Sequence, residues 1–554
     1  MTTTPSNGSA ALRSTDWKDL HYLLVDHTKG MRQLLRESLR SLGARYIDQA
    51  SSGGEAIGLL TQTHYDVVLC EYHLGQGKNG QQVLEEAKFR DLLLPTTAWL
   101  MVTSEKNLEA VMGTAELHPD AYLLKPITQQ TLLNRLSRIW QRKQILNVLN
   151  PAWLQRDFAR AAKLCDMQIA QHRFHALYLL RMKASLLLKC GRSQEAREVY
   201  ERVLATRQFS WAMTGVASIR MQNGEAEIAR SMLTEVINGN RYFMEAYDQL
   251  ALAHQQLGQF EEAALVLEKA ATMSPNSVLR QRSLGEVSLK LGHTQIAERA
   301  FRKCLALGEH SVLKSADAYL GLARICGMKN DTDEALSLLH QVQREFTSEQ
   351  IRLRSKITEG LVLHESGEWE RARKSGTELS AMLQAGNQRP PPAVALDMAR
   401  LLFATGIEDA PIALLRELAR NNHDNPQLLG EIRQVFARAR MAEEGDAIVN
   451  NSSAEAADMM NRGVLLWKTG KLMEAVEWMR DTARALPDNQ RVLFNYAQIV
   501  LSCMERHGFD AGMADEARHA LLQVDSLMPG QARFHMLMDN LNALLRSERQ
   551  RAAN

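Results

Sequence analysis

The chain has 554 residues, which is too long for one hydrophobic core, so we expect two or more domains. Apolar residues make up 45% of it and charged residues 23%, with 66 basic side chains against 64 acidic ones. This near-zero balance argues against a nucleic-acid binder that works through a general basic field. Soluble globular domains are the expectation.

The N-terminus and the cysteines bear on the compartment. Residues 1–19 are polar and lack the apolar core of a signal peptide, so we expect a disordered tail. No run of about eighteen or more apolar residues occurs, so no membrane span is expected. The six cysteines are scattered, without a CxxC pair or zinc-finger spacing. Such spacing is typical of free thiols in a reducing compartment, and we predict a cytoplasmic protein.

Short apolar strands alternate with helical patterns through residues 20–141. The strands are predicted at HYLLVD, ARYIDQAS, DVVLCE, TTAWLMVTS and AYLLKP. This alternation predicts a doubly wound α/β domain with a five-stranded parallel sheet. Ligands of such sheets bind at the carboxyl ends of the strands.

Chemically useful side chains fall at those strand ends. Asp26 and His27 end the first strand and Glu71 the third. Thr103 ends the fourth strand, and Lys125 ends the fifth. One carboxylate could help to hold a divalent cation, a second could accept a phosphoryl group, and the Lys and Thr could bind its oxygens.

In the order, spacing and strand context of these residues, the domain resembles the receiver domain of two-component response regulators. The resemblance implies that Asp26 stands at the first metal-binding acid and Glu71 at the phospho-acceptor Asp. It implies that Thr103 is the switch hydroxyl and Lys125 the phosphate-binding amine. Tyr122 matches the aromatic residue whose rotamer reports the active state.

Two departures from the receiver pattern affect the same reaction. His27 stands where the family has a second acid, and a hard cation that prefers oxygen ligands would bind there poorly. Glu71 is one methylene longer than Asp, which moves its carboxylate outward by roughly one ångström. We therefore expect an impaired Mg²⁺ site, no bound cofactor and no ordinary aspartyl phosphorylation.

Several interpretations of Glu71 stay open. It could reach Lys125 and Thr103 and imitate the phosphorylated state permanently. It could instead be a silent substitute in a domain that is only a docking surface, or retain some phosphotransfer. In a further alternative, Asp26, His27, Glu71 and His73 form a transition-metal site, against the simpler interpretation of both histidines as solvated loop residues.

Residues 142–554 are predicted as helix–turn–helix units with a period near 34, in which a small residue is followed by a turn residue and then by Ala. This pattern resembles the tetratricopeptide repeat. The turn residue takes the left-handed conformation that ends the first helix. The predicted turn residues are Gly191, Gly224, Gly258, Gly292, Gly367 and Gly470, with Asn330 in place of one glycine.

The repeat region divides into three predicted parts. Residues 142–380 are tetratricopeptide repeats, and residues 381–460 are degenerate helical repeats with hinges at Pro390–Pro392 and at residues 450–456. Residues 461–554 carry further repeats and a capping helix. The whole predicts an all-α superhelical solenoid with a concave surface suited to a peptide or a partner's helix.

We see no catalytic constellation in the repeats, and we predict a protein that is not an enzyme. The leading hypothesis is an atypical response regulator, independent of phosphorylation, that acts as an adaptor or scaffold. A protein partner would bind in the repeat groove, and a histidine kinase, another signalling protein or a second copy of the chain would bind the receiver. The alternatives are a true phosphorelay regulator and, in another class, an RNA-binding repeat protein, which the near-neutral charge disfavours. DNA is not an expected partner.

Overall fold

The computed structural model describes residues 17–105, 108–384, 390–528 and 531–553. These residues form two compact units, one of residues up to 221 and 225–315 and the other of residues 222–224 and 316 onward. Within the described ranges, no helix has the length and apolar character needed to cross a bilayer.

The N-terminal domain is a five-stranded parallel sheet with helices on both faces, as the alternating pattern predicts. The strands are β1 His21–Val25, β2 Tyr46–Ala50, β3 Val67–Cys70, β4 Ala98–Thr103 and β5 Ala121–Leu124. The helices are α1 Lys29–Ser41, α2 Gly53–Gln62, α3 Gly80–Phe89, α4 Leu108–Glu116 and α5 Gln129–Gln144. The strand order is β2-β1-β3-β4-β5, and every neighbouring pair is parallel.

The central strands are buried on both faces. All of β3 and β4 and the last four residues of β1 are buried, as expected for parallel strands covered on both sides. The ladder continues one residue beyond these strands, because the Glu71 amide donates to the Val25 carbonyl at 2.8 Å and the Lys125 amide to the Thr103 carbonyl at 2.8 Å. The rigid sheet therefore fixes the backbone of the strand-end residues.

The prediction of a disordered tail over residues 1–19 is wrong for its last three residues. Residues 1–16 lie outside the described ranges, but Trp17–Asp19 form a short 3-10 turn. The Trp17 carbonyl accepts a hydrogen bond from the Tyr22 hydroxyl at 3.1 Å, and the Trp17 side chain packs on the core beneath the sheet. Burial of the indole ring orders this segment.

Twenty-two α-helices follow the α/β domain in the described chain. In the first unit they are α6 Asn150–Leu154, α7 Phe158–Gln171, α8 Ala176–Lys189, α9 Ser193–Leu204, α10 Ser210–Gln222, α11 Ala226–Gly239, α12 Met244–Gln256, α13 Phe260–Met273, α14 Val278–Leu291 and α15 Thr294–Gly308. In the second unit they are α16 Ala316–Met328, α17 Thr332–Glu345, α18 Glu349–Glu365, α19 Trp369–Gln384, α20 Pro392–Ala404, α21 Asp409–Asn421, α22 Pro426–Arg438, α23 Ala442–Lys468, α24 Leu472–Ala485, α25 Gln490–His507, α26 Ala511–Leu527 and α27 Ala532–Ala553.

The predicted turn residues all have positive φ. The values are 73° for Gly191, 81° for Gly224, 73° for Gly258, 79° for Gly292, 82° for Gly367, 80° for Gly470 and 60° for Asn330. The left-handed conformation ends the first helix of each pair and reverses the chain, and Asn tolerates it better than most side chains.

Two details of the degenerate region differ from expectation. The hinge predicted at residues 450–456 is wrong, because α23 runs through it without a break. Ile448, Ser452, Ala456 and Met460 are buried at helical spacing along one face, and their packing overrides the weak helix propensity of the Asn and Ser residues. In the sequence, Gly430, Ala437 and Ala442 align as a degenerate unit with its turn at Ala437. The chain reverses instead at Arg440, which has a φ of 63°.

The other predicted hinge is not tested. Residues 385–389 lie outside the described ranges, and Pro392 begins α20 with Pro391 as its N-terminal cap. Proline is well suited to the first turn of a helix, where its missing N–H has no intrahelical partner.

The helices α14 and α15 cross closely at Gly285, so a larger side chain at this position should lower stability. An added Cβ there would lie 2.5 and 2.6 Å from carbons of the buried Phe301 ring. For Gly285→Ala we expect a lower free energy of unfolding, because overpacking of about 1–3 kcal/mol outweighs the gain of about 1 kcal/mol of Ala over Gly in a helix. Urea denaturation measures the change.

Gly58→Ala is the matched control. Gly58 is inside α2 with no atom within 4 Å of an added Cβ, so we expect this change to raise stability by up to about 1 kcal/mol. A neutral or stabilising Gly285→Ala would contradict the tight crossing.

Candidate functional site

The residues predicted from the strand ends converge at one edge of the sheet. Asp26 is 1% exposed, Glu71 3% and Thr103 0%. Such deep burial of two carboxylates requires a counter-charge or hydrogen-bond donors, because an unpaired buried charge is costly. The pocket supplies both.

Lys125 bridges the two carboxylates. Its Nζ lies 2.6 Å from Asp26 Oδ2 and 2.5 Å from Glu71 Oε2. Burial alone would lower the pKa of the Lys125 amine, but the hydrogen bonds and charges of both acids outweigh it and raise this pKa above its ordinary value. The ammonium group is therefore charged and holds both acids.

Backbone amides hold the remaining carboxylate oxygens. Glu71 Oε1 accepts from the amides of Tyr72 at 2.6 Å and His73 at 3.3 Å. Asp26 Oδ1 accepts from the Thr28 amide at 2.8 Å. In each carboxylate, one oxygen thus accepts a hydrogen bond from Lys125 and the other accepts from backbone amides.

Thr103 does not join this bridge. Its Oγ1 accepts from the amide of Glu105 at 3.0 Å and so holds the loop after β4. The structure therefore brings Glu71 to Lys125, as one of the sequence interpretations expects, but not to Thr103.

The rings of His27 and His73 form hydrogen bonds with protein groups and do not converge on a shared metal site. His27 Nδ1 lies 2.8 Å from the His73 carbonyl oxygen, which can only accept, so Nδ1 carries the proton. His73 Nε2 lies 2.6 Å from Glu105 Oε2. Across the described ranges, no group of three or more His, Cys, Asp or Glu residues is placed to hold a metal ion.

The pocket fits Mg²⁺ poorly. Of the groups at the strand ends, Asp26 and Glu71 carry negative charge, and Lys125 already neutralises one of these charges at 2.6 Å or less. The third position belongs to His27, which offers nitrogen where the cation prefers oxygen. No carboxylate oxygen in this set is without a protein donor.

Tyr122 is turned into the domain. Its hydroxyl is buried without a hydrogen-bond partner, and its ring packs on the core cluster that contains Tyr72. Burial, together with the charges of nearby Tyr72, Glu105 and Glu71, raises the pKa of the Tyr122 hydroxyl to about 12. The aromatic residue predicted to report the state of the domain is therefore in an inward position.

Comparisons with known proteins agree with this geometry. Residues 22–137 match the family described as response regulator receiver domain. Residues 179–208 and 245–277 match tetratricopeptide repeat families. The chain carries a response regulator receiver domain at its N-terminus. Tetratricopeptide repeats follow it.

The relatives of the receiver include chemotaxis proteins. Chemotaxis protein CheY-3 of Vibrio cholerae is 29% identical over 127 residues, which cover 23% of this chain and 95% of that protein. Chemotaxis protein CheY of Pseudomonas aeruginosa is 28% identical over 122 residues, which cover 22% of this chain and 95% of that protein. These matches concern the receiver and do not extend to the repeats.

Solved structures with a receiver fold also match. Chemotaxis protein CheY4 of Vibrio cholerae has 23% identity and a TM-score of 0.20, with 22% of this chain and 98% of that chain covered. A CheY-like receiver domain protein from Methanospirillum hungatei has 21% identity and a TM-score of 0.21, with 23% of this chain and 96% of that chain covered.

A second site, which the sequence pattern does not predict, lies where the receiver contacts the repeats within the first compact unit. On the receiver, the contact uses α3, α4 and the residues just before α3. On the repeats it uses a surface, here called the Arg280 surface, made of Met244, Tyr247, Asp248, Asn276, Arg280 and Leu307. The alternation pattern shows which helices cover the sheet but not what covers those helices.

Polar contacts dominate this second site. Gln81 Nε2 donates to the Asn276 carbonyl at 3.0 Å, and Gln82 Nε2 donates to the Leu307 carbonyl at 2.9 Å. Lys78 Nζ donates to the His310 carbonyl at 2.5 Å. The Leu307 and His310 carbonyls lie at or just beyond the C-terminal end of α15, where helices leave acceptors unpaired and favour positive charge.

Proposed function

We propose that this response regulator works without phosphorylation and that its output is protein binding by the repeats. The observation that carries the proposal is the bridge of Lys125 to Glu71 and Asp26. The carboxylate of Glu71 gives Lys125 the negative partner that a phosphoryl group would otherwise supply. The signal of the receiver is then constant rather than switched.

The chemistry of phosphoryl transfer supports this proposal. An acceptor carboxylate must offer an oxygen to the incoming phosphorus, with positive charge in place to stabilise the transferred oxygens. Both oxygens of Glu71 are already hydrogen-bonded, and the donor set around Asp26 and His27 fits a divalent cation poorly. In this proposal the receiver therefore has no phosphotransfer activity.

The mimicry is partial in this proposal. Glu71 engages Lys125, while Thr103 bonds the Glu105 amide and stays out of the bridge. The role of Glu71 is thus to hold Lys125 and the backbone of the loop after β3.

The repeats supply the output. Tetratricopeptide repeats favour protein–protein interaction, since stacked helix pairs present a long surface for a peptide or a helix. We propose an adaptor or scaffold with no enzymatic activity of its own, whose partners include a signalling protein on the receiver and a protein bound by the repeats.

Affinity capture from the source cell, followed by quantitative mass spectrometry, tests this proposal. We compare wild type with Glu71→Gln, which keeps the shape and removes the charge, and with Glu71→Asp, each with and without acetyl phosphate. We expect wild type to hold its partners with no effect of the phosphodonor. Glu71→Gln should lose those partners, because the negative charge that pairs with Lys125 at this position is gone.

Glu37→Gln is the matched control, because Glu37 is exposed on α1 and its Oε1 accepts a hydrogen bond from Gln33 at 3.3 Å. It should behave as wild type. An identical partner set for wild type and Glu71→Gln would refute the constant signal. Dependence of wild type on acetyl phosphate would favour the rival function, a true phosphorelay regulator.

A further inference from the structure

Arg280 is a buried cation with a complete set of acceptors. Its side chain is 0% exposed. Nε and Nη2 donate to the carboxylate of Asp248, each at 2.8 Å, and Nη1 donates to the Ser274 carbonyl at 2.8 Å. These three bonds come from the repeats themselves and fix the plane of the guanidinium group.

The two remaining donors of Arg280 point to the receiver. Nη1 lies 3.2 Å from Oε1 of Glu116, and Nη2 lies 2.9 Å from Oε2. This paired arrangement is the geometry by which Arg recognises a carboxylate. The repeats therefore contain a preformed carboxylate site, and Glu116 of the receiver fills it.

Glu116 is poorly placed for its own helix. It is the last residue of α4, where the helix dipole disfavours negative charge by about 0.3–1 kcal/mol. The contact with Arg280 offsets this cost. A carboxylate at this point therefore serves the contact with the repeats rather than the stability of α4.

An apolar contact completes the motif. Met112 packs against the cluster of Met244, Tyr247 and Ala270. Met112 and Glu116 are four residues apart and lie on the same face of α4. The Arg280 surface thus binds a helix that presents an apolar side chain and, one turn later, a carboxylate.

We propose that the Arg280 surface is the binding site for an acidic amphipathic helix of a partner protein, and that α4 of the receiver occupies this site in the free chain. This inference rests on the proposed protein-binding function and names the class of partner. Apart from Met112, the contacts described here are hydrogen bonds and ion pairs. Contacts of this kind between domains of one chain resemble transient interfaces and can exchange. A partner helix with the same spacing of apolar residue and carboxylate would displace the receiver.

A labelled peptide tests the proposal on the full-length chain. The probe is a helix-stabilised peptide with the sequence of residues 108–118, LEAVMGTAELH, and its affinity is measured by fluorescence anisotropy. We expect it to bind the Glu116→Arg chain about tenfold or more tighter than wild type, because the resident carboxylate is gone and the new Arg repels Arg280. Adding Arg280→Gln should remove that binding.

Two controls distinguish recognition of the probe's carboxylate from nonspecific binding. A probe with Gln in place of its second Glu should bind the Glu116→Arg chain about tenfold or more weaker than the original probe. The Glu37→Arg chain, with the same charge change on α1, should match wild type. Amide hydrogen exchange in the central strands verifies that each variant chain is folded.

Three results would overturn the proposal that the Arg280 surface binds an acidic partner helix. Equal affinity of the probe for wild type and Glu116→Arg, or no binding to either, overturns the proposal. Binding that ignores the probe's carboxylate overturns the partner class but leaves the protein-binding function of the repeats intact. Dimerisation of the wild-type chain that Glu116→Arg abolishes, measured by light scattering, would show that the surface takes the receiver of a second copy, which also overturns the proposal.

Discussion

Lys125→Met lowers the free energy of unfolding of the receiver by about 3–5 kcal/mol, because it leaves the carboxylates of Asp26 and Glu71 buried beside each other without their cation. Lys125 is the positive charge that bridges both acids, at 2.6 and 2.5 Å. Hydrogen exchange of the slowest amides in β1 and β3 measures the loss, since these strands open only when the domain unfolds.

A second variant separates the loss of charge pairing from a packing defect. Adding Glu71→Gln to Lys125→Met removes one of the two unpaired charges and should recover part of the lost stability. Lys29→Met, at the exposed start of α1, should change stability by less than about 0.5 kcal/mol. A Lys125→Met receiver as stable as wild type would contradict the bridge.

Arg280→Met should destabilise the first compact unit by about 2–4 kcal/mol, an amount reduced from that of a fully buried pair because Glu116 and Asp248 keep some solvent. The change leaves two carboxylates near each other and two receiver contacts unmade. We expect faster hydrogen exchange in α4, with smaller changes in β1 and β3 of the receiver.

Arg299→Met is the control for this second prediction, because Arg299 is 74% exposed and pairs with Glu268 only at 3.5 Å. It should leave exchange in α4 unchanged. If α4 keeps its protection in the Arg280→Met chain, the contact between receiver and repeats does not depend on this cation.

Much of the fold could be predicted from local pattern. The five strands and the positive-φ turns, such as Gly258 and Asn330, follow from apolar runs and from the backbone preferences of Gly and Asn. The hinge predicted at residues 450–456 is wrong because long-range packing, and not local preference, decides the structure there. Asn and Ser there have weak helix propensity, and the burial of Ala456 against residues distant in sequence decides the outcome.

The candidate site divides in the same way. Strand ends of a parallel sheet meet at one edge, so the convergence of Asp26, Glu71 and Lys125 follows from sequence order and spacing. The hydrogen bond that Thr103 Oγ1 accepts from the Glu105 amide does not follow from the sequence. The length of the Glu71 side chain and the path of the loop after β4 decide which donor Thr103 reaches. The pairing of Glu116 with Arg280 joins residues 164 positions apart, and periodicity along the chain carries no signal for it.

In our proposal, the receiver holds a constant state because Glu71 replaces the phosphoryl group. Fluorine-19 NMR with beryllofluoride and Mg²⁺ tests this proposal, since this complex forms only on an acceptor carboxylate in a working metal site. We predict no bound fluorine signal for wild type and a bound signal for a His27→Asp, Glu71→Asp double variant, which restores both acids. A bound signal from the wild-type chain, lost in Glu71→Gln, would contradict the claim.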